Sequence, residues 1–408
     1  MTHAPGEDKS KTAAHQKNGA AQPSKGAHKA AVQARLERNQ EERNRQTLAG
    51  FEWPEGRCKQ IAYISPDHHL HELVVGAGGA WQHADLTTLT GAPEATSRFL
   101  VGYAWPEEGT KQVTYLGPEG HLYELSVTIG GSWQFTNLTS MAGAPPAIEV
   151  TAGYSWSAGR CKQVVFVDED SHLHELSRGW EKPWKHINLT ALTHAPLPAS
   201  KRMVGYGWEA GQCKQVAYVG QDGHLHELYV EVGARKRWRH VDLSALTDAP
   251  EARDLLVGYE WPQGGSKQIA FVGEDDHLHE LSLEAGQGWR HVDLSTLTGA
   301  PLAGDVLTGY AWPEGQMKQL AYVDQVGRLH ELSLEVGRTW QHVDLTALAQ
   351  APLTPITAIE GYAWSTGHTK QVAYVGNDGT IREVWIPQGG QWTYADLNEL
   401  VLSLPGRV

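Results

Sequence analysis

Four kinds of chemically capable residue recur at fixed places along this chain. A Lys-Gln pair stands at Lys59-Gln60, Lys111-Gln112, Lys162-Gln163, Lys214-Gln215, Lys267-Gln268, Lys318-Gln319 and Lys370-Gln371. A glutamate follows each pair, at Glu72, Glu124, Glu175, Glu227, Glu280, Glu331 and Glu383. Gln and Glu inside adjacent strands are unfavourable unless hydrogen-bonded. A carboxylate accepts and an amide both donates and accepts, so together they suit sugar hydroxyls. A structural Glu–Lys bridge uses the same residues, and the sequence leaves both roles open.

Tryptophan is the third kind. Fourteen of the 16 fall into two sets. Trp53, Trp105, Trp156, Trp208, Trp261, Trp312 and Trp364 form one, and Trp81, Trp133, Trp184, Trp238, Trp289, Trp340 and Trp392 the other. Such rings wedge between packed sheets or offer a face to a ligand. Histidine is the fourth, in pairs two apart: His69/His71, His172/His174, His224/His226 and His277/His279. Two imidazoles on one face of a strand can ligate a metal. The other repeats carry His121/Tyr123, Arg328/His330 and Thr380/Arg382 instead, so the sequence predicts no metal site and no cofactor. A further histidine (His83, His240, His291, His342) gives way elsewhere to Phe135 and Tyr394, which suits packing.

These residues sit in seven copies of one unit. Gly-aromatic-x-Trp begins at Gly50, Gly102, Gly153, Gly205, Gly258, Gly309 and Gly361, at intervals of 51 to 53 residues. Such a period holding several short β-like runs marks a radial repeat. In the fourth unit, Met203–Trp208, Lys214–Val219, Leu225–Val230 and Trp238–Leu243 read as strands. Gln221-Asp222-Gly223 reads as a tight hairpin turn. Three short links and one long one are the wiring of a propeller blade. The prediction is an all-β, seven-bladed β-propeller with four antiparallel strands per blade over residues 49–408. Four strands fill the period and leave no room for helices. Every blade is complete within one repeat, so closure rests on packing of blade seven against blade one, assisted by Leu400–Leu404.

Residues 1–48 read as a disordered or partly helical tail, with Ala27–Leu48 helix-forming in composition. Of 34 Lys/Arg and 47 Asp/Glu, nine and five fall in that tail, leaving an acidic body with 25 against 42. An acidic body argues against nucleic acid as a partner. No apolar stretch reaches the roughly 18 residues of a membrane helix, and no apolar core of a signal peptide opens the chain. The expectation is no membrane insertion and a cytoplasmic location, with export by another route left open. Cys58, Cys161 and Cys213 occupy equivalent places in different units, which is no disulfide framework. No phosphate cradle, nucleophile elbow or unique acid–base constellation appears. The chain does not read as an enzyme.

The run Lys-Gln-Val-Ala-Tyr-Val, then Asp-Gly-His-Leu-His-Glu-Leu, then Trp and Asp-Leu resembles the repeat of the fungal fucose-binding propeller lectins and related bacterial propeller lectins. The resemblance covers about residues 50–408. It implies sugar pockets between neighbouring blades, formed by an Arg, a Glu and aromatic residues. The Glu maps onto Glu72 and its six equivalents, and the strand-four Trp set best matches the aromatic contact. Gln60 and its equivalents stand where the family has Arg. Seven units also replace the six blades of the fungal lectins. The resemblance therefore implies a multivalent, non-enzymatic lectin for glycans or glycoconjugates, with fucose or O-methylated sugars as ligands. The competing reading is a protein-interaction scaffold that binds through its variable loops.

Overall fold

The computed structural model describes residues 47–233 and 237–402. The expected tail lies outside them except for Thr47 and Leu48. Seven four-stranded antiparallel sheets follow one another, each with its strands in chain order. The chain is a seven-bladed β-propeller.

Blade four shows why each strand forms. Its strands are Pro198–Trp208, Cys213–Gly220, Leu225–Glu231 and Arg239–Asp242. All eight residues of the second are buried, because it lies between strands and under both neighbouring blades. Register places Tyr206 opposite Gln215, Ala217 opposite Glu227, and Leu228 opposite His240. The first strand runs five residues further upstream than its aromatic core, with a register shift between Pro198 and Met203. First strands of all seven blades line one central cavity.

Helices correct the sequence reading. A short helix follows the fourth strand in every blade, from Leu86–Thr90 in the first to Leu397–Leu402 in the last. The Asp-Leu or Asn-Leu pair is its start: Asp242 accepts the N–H of Ala245 at 2.9 Å, and Asn188 that of Ala191 at 2.8 Å. One or two turns fit within the long link because its residues would otherwise be an irregular loop with unpaired amides. The helices present a row of exposed apolar side chains, Leu89, Met141, Leu192, Leu246, Leu297 and Leu348.

Seven apolar clusters occupy the seven boundaries between blades. One joins Leu48, Ile61 and Leu73 of the first blade to Tyr362, Val375 and Leu397 of the last. The ring thus closes by packing, without a shared strand. In the terminal run, the Leu400 side chain is exposed, and residues 403–408 lie outside the described part.

The Gly-Tyr phrase is explained at these boundaries. A Cβ on Gly205 would stand 2.5 Å from Cε1 of Tyr154 in the preceding blade, and one on Gly50 would stand 2.5 Å from Cε1 of Tyr362. Each blade leans its innermost strand on the ring before it. Gly205→Ala is expected to destabilise the fold by about 1–3 kcal/mol through overpacking, read as a lower denaturation midpoint. An unchanged midpoint would show that Tyr154 moves aside freely.

Candidate functional site

The Lys of each Lys-Gln pair points across a blade boundary to the Glu of the blade before it. Lys111–Glu72, Lys162–Glu124, Lys214–Glu175, Lys267–Glu227, Lys318–Glu280 and Lys370–Glu331 join at 2.5–2.6 Å. Lys59–Glu383, also at 2.6 Å, joins the last blade to the first. All fourteen side chains are buried. Burial pushes the carboxyls of Glu72, Glu175, Glu227 and Glu280 up, with the facing ammonium opposing that shift.

Two tryptophans enclose six of the seven ammonium groups, and one, Trp238, lies over that of Lys214. Lys267 Nζ lies 5.3 Å from the ring centre of Trp208 in blade four and 5.0 Å from that of Trp289 in blade five. Lys111 is held by Trp53 and Trp133, both at 5.2 Å, and Lys59 by Trp364 and Trp81, at 5.6 and 5.1 Å. A desolvated cation over an indole gains about 2 kcal/mol. A carboxylate and two rings together offset the several kcal/mol lost when an ammonium leaves water.

The 21 residues singled out for sugar contact divide into three groups. All seven Gln side chains are fully buried. Three donate to a backbone oxygen of their own blade's first strand: Gln60 to Phe51 at 2.9 Å, Gln215 to Tyr206 at 2.9 Å and Gln371 to Tyr362 at 3.1 Å. Gln268 donates to Ser266 Oγ at 2.7 Å. The seven Glu are bonded to lysines. Of the strand-four Trp set, Trp184 and Trp238 are buried, while Trp81, Trp133, Trp289, Trp340 and Trp392 are half-buried. These five rings are the accessible members of the assembly. Behind each boundary, the indole N–H of a strand-one Trp is buried without an acceptor among the described residues. Such a donor costs about 1–3 kcal/mol unless water or a ligand oxygen meets it.

Histidine forms a second repeated arrangement that the sequence showed only as spacing. His226 Nε2 lies 3.0 Å from Asp222 Oδ1, and its Nδ1 lies 2.9 Å from His240 Nε2. A carboxylate only accepts, so His226 Nε2–H donates to Asp222 and His226 Nδ1 accepts a hydrogen bond from His240 Nε2–H. His279 repeats this with Asp275 and His291, His330 with Asp324 and His342, and His174 with Asp168 and His186. In blade one Ser65 replaces the carboxylate beside His71. Desolvation lowers the pKa of His240 and of His291. The half-buried His224 and His277 shift upward instead, through hydrogen bonds to Asp242 and Asp293 at 2.8 and 2.9 Å.

Two further groups were not legible beforehand. Glu360 stands in the cavity wall where the other blades have Ala49, Val101, Ala152, Val204, Val257 and Thr308. Burial pushes its carboxyl up to about 8. Arg160 stacks on Trp180, its guanidinium 4.1 Å from the ring centre, at the edge of blade three. The three thiols are free, and burial pushes Cys213 up to about 12.

Solved structures resemble this fold to different degrees. The chain is similar to the BP39L lectin from Burkholderia pseudomallei, with a TM-score of 0.62 and 15% identity, covering 86% of this chain and 98% of that one. It is also similar to AofleA from Arthrobotrys oligospora, with a TM-score of 0.50 and 13% identity, covering 73% and 86%. A six-bladed fungal lectin, Aleuria aurantia lectin, aligns with a TM-score of 0.47 and 14% identity over 72% and 93%. No family model and no curated protein matches the chain. At these identities the similarity is one of fold. Among the described residues, no helix is long and apolar enough to cross a membrane.

Two outcomes follow. Lys267→Met strands Glu227 without its cation and should cost about 3–5 kcal/mol, while Lys267→Met with Glu227→Gln should recover most of that loss. Equal losses in both would show that the charges do not act as a pair. In an NMR titration, His224 and His277 should hold their protons to higher pH than free histidine, about 6.5, and His240 and His291 should lose theirs below it. A common midpoint for all four would contradict the hydrogen-bond assignment.

Proposed function

We propose that the chain is a non-enzymatic, multivalent carbohydrate-binding protein whose sugars lie at the boundaries between blades. One observation carries the reading: five equivalent boundaries expose part of a strand-four indole held in place by a buried cation. An aromatic face held at fixed tilt suits the apolar face of a sugar ring. Lys and Glu neutralise each other behind it, so no free acid–base pair stands beside the ligand. Glu and Gln act chiefly by holding the ring, and water or sugar oxygens approach the strand-one indole N–H. The propeller lectin fold of the BP39L protein supports this class of ligand, and the repeat's resemblance to fucose-binding propeller lectins favours fucose or O-methylated sugars.

Weak single sites gain from repetition. Linked sites raise avidity about 10²–10⁴-fold without any new contact, and five copies on one ring meet that condition for a clustered glycan. A second reading, a protein-binding scaffold, draws on the exposed helix side chains Leu89, Met141, Leu192, Leu246, Leu297 and Leu348.

The test is a glycan array probed with fluorescently labelled full-length protein. Binding to fucosylated or O-methylated glycans is expected, with progressive loss of avidity as Trp289→Ala, Trp340→Ala and Trp392→Ala are combined. A blank array from folded protein would favour the scaffold, and avidity undiminished by all three changes would move the sugar away from these three rings.

A further inference from the structure

Blade three departs from its neighbours at one end of the histidine arrangement. In blades one, four and five the first histidine of the pair bonds the Asp that caps the following helix: His69 to Asp85, His224 to Asp242 and His277 to Asp293, at 2.8–2.9 Å. Blade three carries Asn188 at that cap, which is neutral. His172 turns instead towards Asp168, placing its Nδ1 3.5 Å from Oδ2. His174 Nε2 lies 2.9 Å from the same oxygen. The other carboxylate oxygen, Oδ1, accepts the backbone N–H of His172 at 2.7 Å, which fixes the orientation of the group.

We propose that Asp168, His172 and His174 form a binding site for a divalent transition-metal ion of the zinc class. Their donor atoms all lie within 4.8 Å of one another. Among the described residues no other three His, Cys, Asp or Glu side chains converge in this way. In a tetrahedral site with bonds of about 2.0–2.2 Å, donor atoms stand about 3.3–3.6 Å apart. The observed separations bracket that value, so small side-chain movements open the space.

Two nitrogens and one carboxylate leave a fourth position for water or a ligand. Ligands outside the metal's reach are also arranged. His174 Nδ1 lies 2.8 Å from His186 Nε2, and Phe166 stacks on His174 at 4.9 Å between ring centres. With the metal on Nε2, His174 keeps its one proton on Nδ1 and donates it to His186 Nε2. His186 then carries its own proton on Nδ1, so neutral rings release no net proton. Such an outer partner orients a ligating imidazole. His174 is buried between Phe166 and His186, whereas the His172 side chain is 37% exposed and gives the ion a route in. This site is independent of sugar binding at the boundaries.

Each near-copy lacks one part. Blade six has Asp324 and His330 but Arg328 in place of the first histidine. Blades four and five commit His224 and His277 to the cap Asp. The sequence pointed to paired histidines in general, and a neutral cap combined with Asp168 and His174 is what singles out blade three, since blade two has Asn137 at its cap but Gly117 and Tyr123 at those two places.

The experiment is titration of Zn²⁺ alone into the full chain, read by competition with a chromophoric chelator. One equivalent should bind, and His172→Ala and Asp168→Asn should each weaken it at least about tenfold. Asn188→Asp, which restores the carboxylate that competes for His172, should weaken it by about 10-fold or more, the usual effect of a change outside the ligands. No saturable binding would overturn the proposal. So would binding unchanged in His172→Ala or in Asn188→Asp, which would place the ion elsewhere, for example on His3, His15 or His28.

Discussion

A lysine ammonium taken out of water must find a negative charge close by, and each Lys of the repeated Lys-Gln pair finds it in the preceding blade. Lys59 meets Glu383 and Lys267 meets Glu227 with the same geometry. Charge is therefore balanced at the boundary and not within a blade. A blade packed out of register would bury an unpaired Lys at one side and an unpaired Glu at the other, each costing several kcal/mol. The consequence is a constraint on assembly: the blades are complementary only as a closed ring. Apolar clusters supply the bulk of the attraction at each boundary, and the ion pairs set the register in which neighbours meet.

The tryptophans gain their positions from the same constraint. At six of the seven boundaries two indoles enclose the ammonium, one from each blade, as Trp208 and Trp289 do at Lys267. Their orientation is held by a charge behind them, so a half-exposed strand-four ring presents a fixed face. A ligand meeting a fixed aromatic face loses little freedom on the protein side, which favours binding by a shallow surface. Repetition then compensates for shallowness. Variation among blades lies in how much of the ring is covered, as with Trp184 and Trp238, and in the outer histidine arrangement, as with Asn188.

Much of the fold was legible because a repeat multiplies every weak signal by seven. Gly-Tyr-x-Trp, Lys-Gln and Leu-His-Glu-Leu named the first three strands, and Gly223 marked the hairpin between the second and third. The helices were missed because five residues are too few to show a helical period. Their signal was the cap, Asp242 or Asn188 before Leu-Ser/Thr. A Glu–Lys bridge was one of two roles open for Glu227, but sequence spacing carries no information on which blade holds the partner. The convergence of Asp168 with His172 and His174 was illegible for another reason: it depends on the charge missing at Asn188, 16 residues after His172.

The most direct examination is a crystal structure of the full chain soaked with a methyl fucoside. The sugar should lie against one or more of Trp81, Trp133, Trp289, Trp340 and Trp392, with the Lys–Glu pair behind it unbroken at about its present separation. A sugar that separates Lys from Glu, or that binds away from every boundary, would contradict the view that the buried pairs frame the site.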